Sequence, residues 1–320
     1  MRTTILQQCT EATSFCDLFG GTGVVTYSML NDYSDFIIND FLYSSEVIYN
    51  AFFGSKYYSD SKISKYYTKY KNLDSKNLDE NYVSINFGGK YFSVNDAKKI
   101  GYIREDLELS KGVLNTREFD ILLSSLIYSF DRCANTVGHY DAYIKGKNVK
   151  DSFLFELIKP VTENTENKKI KIFREDANKL ALTIKSDVTY IDPPYSSRQY
   201  SRFYHVIENI VKWEKPILYG EALKYDAENM SEYCKSKAID NFQELIYSLK
   251  SKYIVVSYNN TYNSKSRSSE NKMKLEDIKK VLDKKGETTV YMTEHQAFNA
   301  GKTELKDHME ILFITKVNHG

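Results

Sequence analysis

The chain has 320 residues, 42% hydrophobic and 27% charged, with 44 Lys+Arg against 43 Asp+Glu and a formal net charge of +1. That balance excludes a disordered chain, and 4 Pro with 14 Gly exclude collagen-like and Pro/Gly-rich classes. The longest mostly apolar run, residues 121–130, is too short to span a bilayer, and MRTTILQQCT lacks the apolar core of a signal peptide.

No membrane partner is therefore expected, and the cytoplasm is the expected location. Cys9, Cys16, Cys133 and Cys234 form no CxxC pair, so neither a disulfide framework nor a metal site is expected. The 27 Tyr and 17 Phe against one Trp read first as filler from an AT-rich coding sequence. Near-neutral charge does not argue against nucleic acid, because an acidic far side can balance a basic groove.

Residues 14–19 form a short apolar run that ends in a Gly-rich turn at Gly20, Gly21, Thr22 and Gly23, followed by a predicted helix over 24–30. A second apolar run at 36–40 leads into a helix over 43–53. Strands alternating with helices predict a parallel α/β sheet. Residues 55–90 break this pattern; residues 56–71 interleave five Lys with five Tyr and could track a nucleic-acid backbone or form a solvated face. Helical spacing returns over 105–145, with Phe119, Leu122, Leu123, Leu126, Ile127 and Phe130 on one face. After a polar linker at 161–169, strands are predicted at 170–173, 188–191, 253–258, 288–293 and 311–317, with helices at 201–213, 238–251 and 274–284. Residues 259–272 have loop composition. The simplest organisation is a catalytic domain of residues 1–54 and 166–320 interrupted by an insertion over 55–165.

Three features sit at the carboxyl ends of predicted strands, where open α/β sheets bind ligands. In the run from Asp17 to Gly23, glycines let the backbone turn tightly against a ligand. A dinucleotide fingerprint wants a third glycine near position 26, where this chain has Thr26, which disfavours NAD. Asp40, after Asn39, can accept from both hydroxyls of a ribose or cap a helix. Asp192-Pro193-Pro194-Tyr195 follows a buried strand directly; two prolines cannot continue the ladder and stiffen the corner.

Phe19 to Gly23 (FGGTG) and Asp192 to Tyr195 (DPPY), in this order, resemble the Dam-like adenine-N6 DNA methyltransferases. Residues 174–178 (REDAN) precede DPPY by the spacing at which that family places its cofactor-adenine-binding acid, and residues 91–95, 134–138 and 196–200 (SSRQY) resemble segments of the restriction-modification branch. The resemblance covers residues 14–260. It implies a Rossmann-like S-adenosyl-L-methionine-dependent catalytic sheet with a mostly helical target-recognition domain inserted over 55–165.

It further implies that Asp192 and the Pro193 carbonyl accept from the target amine, that Pro194 stiffens the corner and that Tyr195 stacks on an extruded base. Asp17, Phe19, the glycine turn, Asp40, Asp176 and Asn178 are the implied cofactor residues. Arg198, Tyr200, Arg202, His205, Lys265 and Arg267 are expected against DNA. Double-stranded DNA is the implied partner, with a cognate restriction endonuclease beside it. The family's Gly-Gly-Lys or Gly-Ser-Lys segment ahead of the first strand is not matched before Asp17; Gly88-Gly89-Lys90 lies elsewhere. That leaves a DNA-binding module with a degenerate cofactor pocket as one alternative. Cytosine-N4 methylation is another, although an acidic first motif residue favours adenine and a serine favours cytosine.

Overall fold

The computed structural model describes residues 1–161, 167–259, 272–294 and 309–318. The chain divides into two compact units: Met1–Phe41, Glu163–Tyr200 and Asn229–Gly320 form the first, and Leu42–Thr162 with Ser201–Glu228 the second.

The first unit is built on seven strands: β1 (Ser14–Asp17), β2 (Asp35–Asn39), β3 (Lys169–Phe173), β4 (Ser186–Ile191), β5 (Ser251–Asn259), β6 (Gly286–Glu294) and β7 (Met309–Val317), in the order β3-β2-β1-β4-β5-β7-β6. β1 to β5 are parallel, and the middle of β5 and all but one residue of β4 are buried, as central parallel strands covered on both faces require. The sheet is thus Rossmann-like α/β, but it is mixed rather than all parallel. β7 runs antiparallel between β5 and β6, because a strand that returns directly beside its predecessor needs no crossover helix.

Leu18, Ile191, Phe242, Leu245, Tyr258 and Ile278 belong to the core of this unit. The strand order reverses between β1 and β4, where Asp17 pairs in register with Tyr190. That switch point is where an open α/β sheet leaves a crevice beyond its carboxyl ends. Among the described residues no helix is long and apolar enough to cross a membrane.

The second unit is mostly helical. Helices Val94–Leu109 and Thr116–Cys133 are capped by Ser93 and by an Asn115–Glu118 capping box, and they bury Ile100, Ile103, Leu122, Leu126 and Phe130. Of the face expected on the second helix, Phe119 is only partly buried. This unit begins before residue 55 and takes in a later segment, for physical reasons. The helix Tyr43–Phe53 lies against Thr116–Cys133, where Ser124 donates to the Val47 carbonyl at 3.3 Å. The buried Glu208 carboxylate caps the start of that helix by accepting from Tyr43 and Ser44 N–H, both at 2.9 Å.

The Lys/Tyr run forms a helix, Asp60–Lys71, that is tied into its own unit. Lys62 pairs with Glu118 at 2.8 Å, Lys69 pairs with Asp106 at 2.6 Å, and the Tyr70 hydroxyl donates to Asp106 at 2.8 Å.

Candidate active site

The glycine turn is held from beneath by the end of β2. Gly20 N–H donates to the Asn39 carbonyl at 2.8 Å, Gly21 N–H to Asp40 Oδ2 at 2.9 Å, and Gly23 N–H to the Gly20 carbonyl at 2.7 Å. Gly21 and Gly23 have φ of 54° and 80°, left-handed values that favour glycine. A Cβ built on Gly21 meets nothing within 4 Å, so the space over the turn is open.

Asp17 is 1% exposed. Its Oδ2 accepts from Thr26 Oγ1 at 2.9 Å and Thr26 N–H at 3.2 Å, while its Oδ1 is buried with no hydrogen-bond partner. Burial pushes its pKa up to about 7; the Thr26 bonds oppose this and the nearby Asp40 adds to it. Thr26, read from sequence only as a missing glycine, is what orients this carboxylate. Asn39 is a second residue whose role the sequence did not reveal. Its amide donates to the Leu18 and Glu175 carbonyls, each at 3.1 Å, and accepts from Glu175 N–H at 3.0 Å. It thereby clips together the segments that follow β1, β2 and β3.

Beyond β3, Asp176 caps the helix Ala177–Ala181 by accepting from Asn178 and Lys179 N–H at 3.0 and 3.1 Å. The Asn178 side chain differs from its expected role. Its oxygen accepts from the Tyr233 hydroxyl at 2.8 Å and its nitrogen donates to the Asn241 carbonyl at 2.9 Å. Both ends of the amide therefore serve the protein, and Asn178 acts by fixing Tyr233, whose ring meets Phe19 edge-on at 5.2 Å.

β4 delivers Asp192 to the next place on the sheet edge, locked to β1 by Leu18 N–H donating to the Tyr190 carbonyl at 3.0 Å. Pro193 and Pro194 are buried, and no hydrogen bond reaches the Pro193 carbonyl among the described residues. Asp192 Oδ1 accepts from the Tyr195 hydroxyl. Burial pushes the Asp192 pKa up to about 7; the Tyr195 bond opposes this, and Glu310 on β7 and Asp17 reinforce it. Ser257 on β5 donates to Glu310 Oε1 at 2.9 Å. The Tyr195 ring meets Tyr258 edge-on at 5.0 Å, and its carbonyl accepts from Lys272 N–H at 2.8 Å.

Glu310, Tyr258 and Tyr233 were invisible as site residues in the sequence, because strand pairing and packing alone bring them here. The arrangement is one partnerless buried carboxylate oxygen on the strand that leads into an open glycine turn, next to a stiff corner rich in acceptors. An ammonium-bearing nucleoside cofactor such as S-adenosylmethionine fits that donor demand.

The expected DNA contacts divide differently. Tyr200 is 43% exposed and Arg198 half-buried, both in the first unit. In the second unit, Arg202 donates to the Tyr225 carbonyl at 2.6 Å. His205 is 0% exposed, with its ring nitrogens against the Arg202 and Ala222 carbonyls at 3.1 and 2.8 Å, and burial pushes its pKa down to about 4. A sealed, neutral imidazole has no route to a phosphate, so His205 is a core residue and not a DNA contact. Lys265 and Arg267 lie outside the described residues.

Residues 3–273 match the family model of D12 class N6 adenine-specific DNA methyltransferases. The chain is similar to modification methylase StsI of Streptococcus sanguinis, 34% identical over 266 residues that cover 77% of this chain and 40% of that protein. It is similar to type II methyltransferase M.NlaIII of Neisseria lactamica, 31% identical over 304 residues, covering 92% and 86% of the two chains. M.CviAII of Paramecium bursaria Chlorella virus 1 is 30% identical over 295 residues, covering 90% and 85%. The chain thus spans less than half the length of the StsI enzyme and most of the other two. With its family motifs on the sheet edge described above, the chain belongs to the D12 class N6 adenine-specific DNA methyltransferases.

Proposed function

We propose that this chain transfers a methyl group from S-adenosylmethionine, the methyl donor of its family, to adenine N6 in double-stranded DNA. An exocyclic amine is a poor nucleophile because its lone pair is delocalised into the ring. Asp192 and the Pro193 carbonyl would accept its two N–H bonds and localise that pair on nitrogen. The cofactor supplies an electrophilic methylsulfonium when bound. As the target nitrogen takes up that methyl group and the thioether leaves, positive charge would develop on nitrogen, and the fixed carboxylate would stabilise it. One N–H proton would then pass to Asp192.

Tyr195 would hold the extruded base by stacking, worth roughly 1–3 kcal/mol per base against the few kcal/mol of unstacking. Asp17 would take the cofactor amine, Asp40 its ribose, Asp176 its adenine edge, and Phe19 would pack on it. The mostly helical second unit is the reader of the target sequence in this proposal, and Arg198 and Tyr200 of the first unit and Arg202 of the second are backbone contacts. The biological setting is the modification half of a restriction-modification system in the cytoplasm, with a cognate endonuclease as partner.

The observation that carries this reading is Asp192-Pro193 just beyond β4, next to β1, whose last residue Asp17 has a partnerless Oδ1. The test is to incubate DNA with saturating cofactor, digest it and identify the modified nucleoside. N6-methyladenine is expected. N4-methylcytosine, or no modified nucleoside, overturns the proposal. Asp192→Ala should abolish transfer and leave S-adenosylhomocysteine binding intact.

A further inference from the structure

The stacking role of Tyr195 uses only its ring, yet its hydroxyl donates to Asp192 Oδ1. The fold places that hydroxyl. The ring stands at 81° to Tyr258, and the Tyr195 carbonyl is held by Lys272 N–H at 2.8 Å and the Tyr258 hydroxyl at 3.3 Å. The groups around Asp192 otherwise work against its ionisation. Asp17 faces it from β1 and Glu310 from β7, Tyr190 lies on its own strand, and no cation is among these described neighbours. A buried carboxyl surrounded by like charge keeps its proton unless a donor favours the ionised form. A protonated carboxyl loses its value twice over, as a strong acceptor and as a counter-charge for developing ammonium character.

We propose that the Tyr195 hydroxyl is a positioning group that holds Asp192 in its ionised form through Oδ1 and leaves Oδ2 for the target amine. This rests on the adenine-N6 methyltransferase reading above. Tyr195 thus joins two functions in one side chain, with an aromatic face for the base and a donor for the carboxylate that accepts from it.

Tyr195→Phe separates the two, because it keeps the ring and removes the donor. Without the donor the Asp192 carboxyl becomes a weaker acid, so the acid limb of the rate profile moves to higher pH. Each pK unit of that move costs about tenfold on the limb and nothing on the plateau. Single-turnover methyl transfer to a DNA duplex, with enzyme and cofactor saturating, is measured from pH 6 to pH 9. Tyr195→Phe is expected to be slower by about tenfold at pH 6, with the deficit narrowing steadily toward pH 9.

A deficit that is constant across the range, or absent, overturns the proposal, because lost stacking or lost fold lowers the rate equally at every pH. If Tyr195→Phe does not fold, 3-fluorotyrosine incorporated at position 195 tests the same hydroxyl. Its more acidic hydroxyl is a stronger donor and should move the limb to lower pH; an unmoved limb overturns the proposal. Asp192→Ala in the same assay separates the two layers. Residual methylation by that variant sinks the methyltransferase reading of Asp192, whereas an inactive Asp192→Ala beside a parallel Tyr195→Phe profile sinks only the role given to the hydroxyl.

Discussion

Thr26 holds Asp17 by two hydrogen bonds to the same carboxylate oxygen, at 2.9 Å from its hydroxyl and 3.2 Å from its N–H, and leaves Oδ1 buried without a partner. A carboxylate half-satisfied in this way is stable in isolation only at a cost, and a ligand that brings a donor removes that cost. In the proposed function, the cofactor amine is that donor.

Thr26→Val keeps the side-chain volume and removes the hydroxyl donor. The buried carboxylate then keeps only the backbone N–H, which should lower stability by about 1–3 kcal/mol and weaken S-adenosylhomocysteine binding. Denaturant unfolding and titration calorimetry read the two effects separately. If stability falls while affinity holds, Thr26 supports the turn and not the ligand.

Asn39→Ala should be more damaging, although Asn39 touches no proposed ligand. The residue is 1% exposed and its side chain makes three hydrogen bonds, so truncation leaves the buried Leu18 carbonyl and the part-buried Glu175 N–H and carbonyl without these partners. A loss of roughly 3 kcal/mol is expected, with cofactor affinity falling because the segments after β1 and β3 separate. A variant that unfolds at the wild-type denaturant midpoint would show that the clip is idle.

What is legible in the sequence follows from which residues restrict their own backbone. Gly20 to Gly23 and the Pro193-Pro194 corner announce a turn and a stiff strand end from local chemistry alone, and Asp17, Asp40 and Asp192 can be placed because they stand beside them. Asn39, Glu310 and Tyr258 act through partners far away in the sequence, such as Glu175, Ser257 and Tyr195, which one-dimensional spacing does not show. The direction of β7 is equally hidden, because its buried Ile311 to Ile314 would suit a parallel strand as well as an antiparallel one. His205 reads as a DNA contact because it follows Arg198 and Arg202 in a basic stretch. What argues against a surface role is burial nearly all round the helix it begins, taking in polar Glu208 and Asn209 as well as Val206, Ile207, Ile210 and Val211.

That burial makes His205 a source of acid sensitivity. Its folded pKa is pushed down to about 4, chiefly by burial, from an ordinary value of 6.5. Between these values the unfolded chain binds a proton that the folded chain refuses, so stability falls as pH drops from 6.5 toward 4. The contribution is bounded at about 3 kcal/mol. His205→Gln, which cannot titrate, should be less stable than wild type at pH 8 but lose less on going to pH 5. Melting temperatures of both proteins at the two pH values test this; equal losses would remove His205 as the cause.

Catalysis should carry a different pH signature, set by the carboxylates that share one edge of the sheet. In the proposed reaction Asp192 must be ionised to stabilise a nitrogen that is becoming positive, and its pKa is pushed up to about 7 by burial, with Glu310 and Asp17 adding to the rise. The single-turnover rate of the wild-type chain should therefore climb about tenfold per pH unit below 7 and level off above 8. Glu310→Gln removes one neighbouring negative charge while preserving an oxygen that can accept from Ser257, as Oε1 does at 2.9 Å. With that charge gone, Asp192 becomes the stronger acid, and the limb should shift to lower pH with the plateau little changed. This direction is opposite to that expected for Tyr195→Phe, so the pair brackets the carboxylate from both sides. A limb that stays in place in Glu310→Gln would mean that burial alone sets the acidity of Asp192, and that the carboxylate on β7 serves the strand and not the reaction.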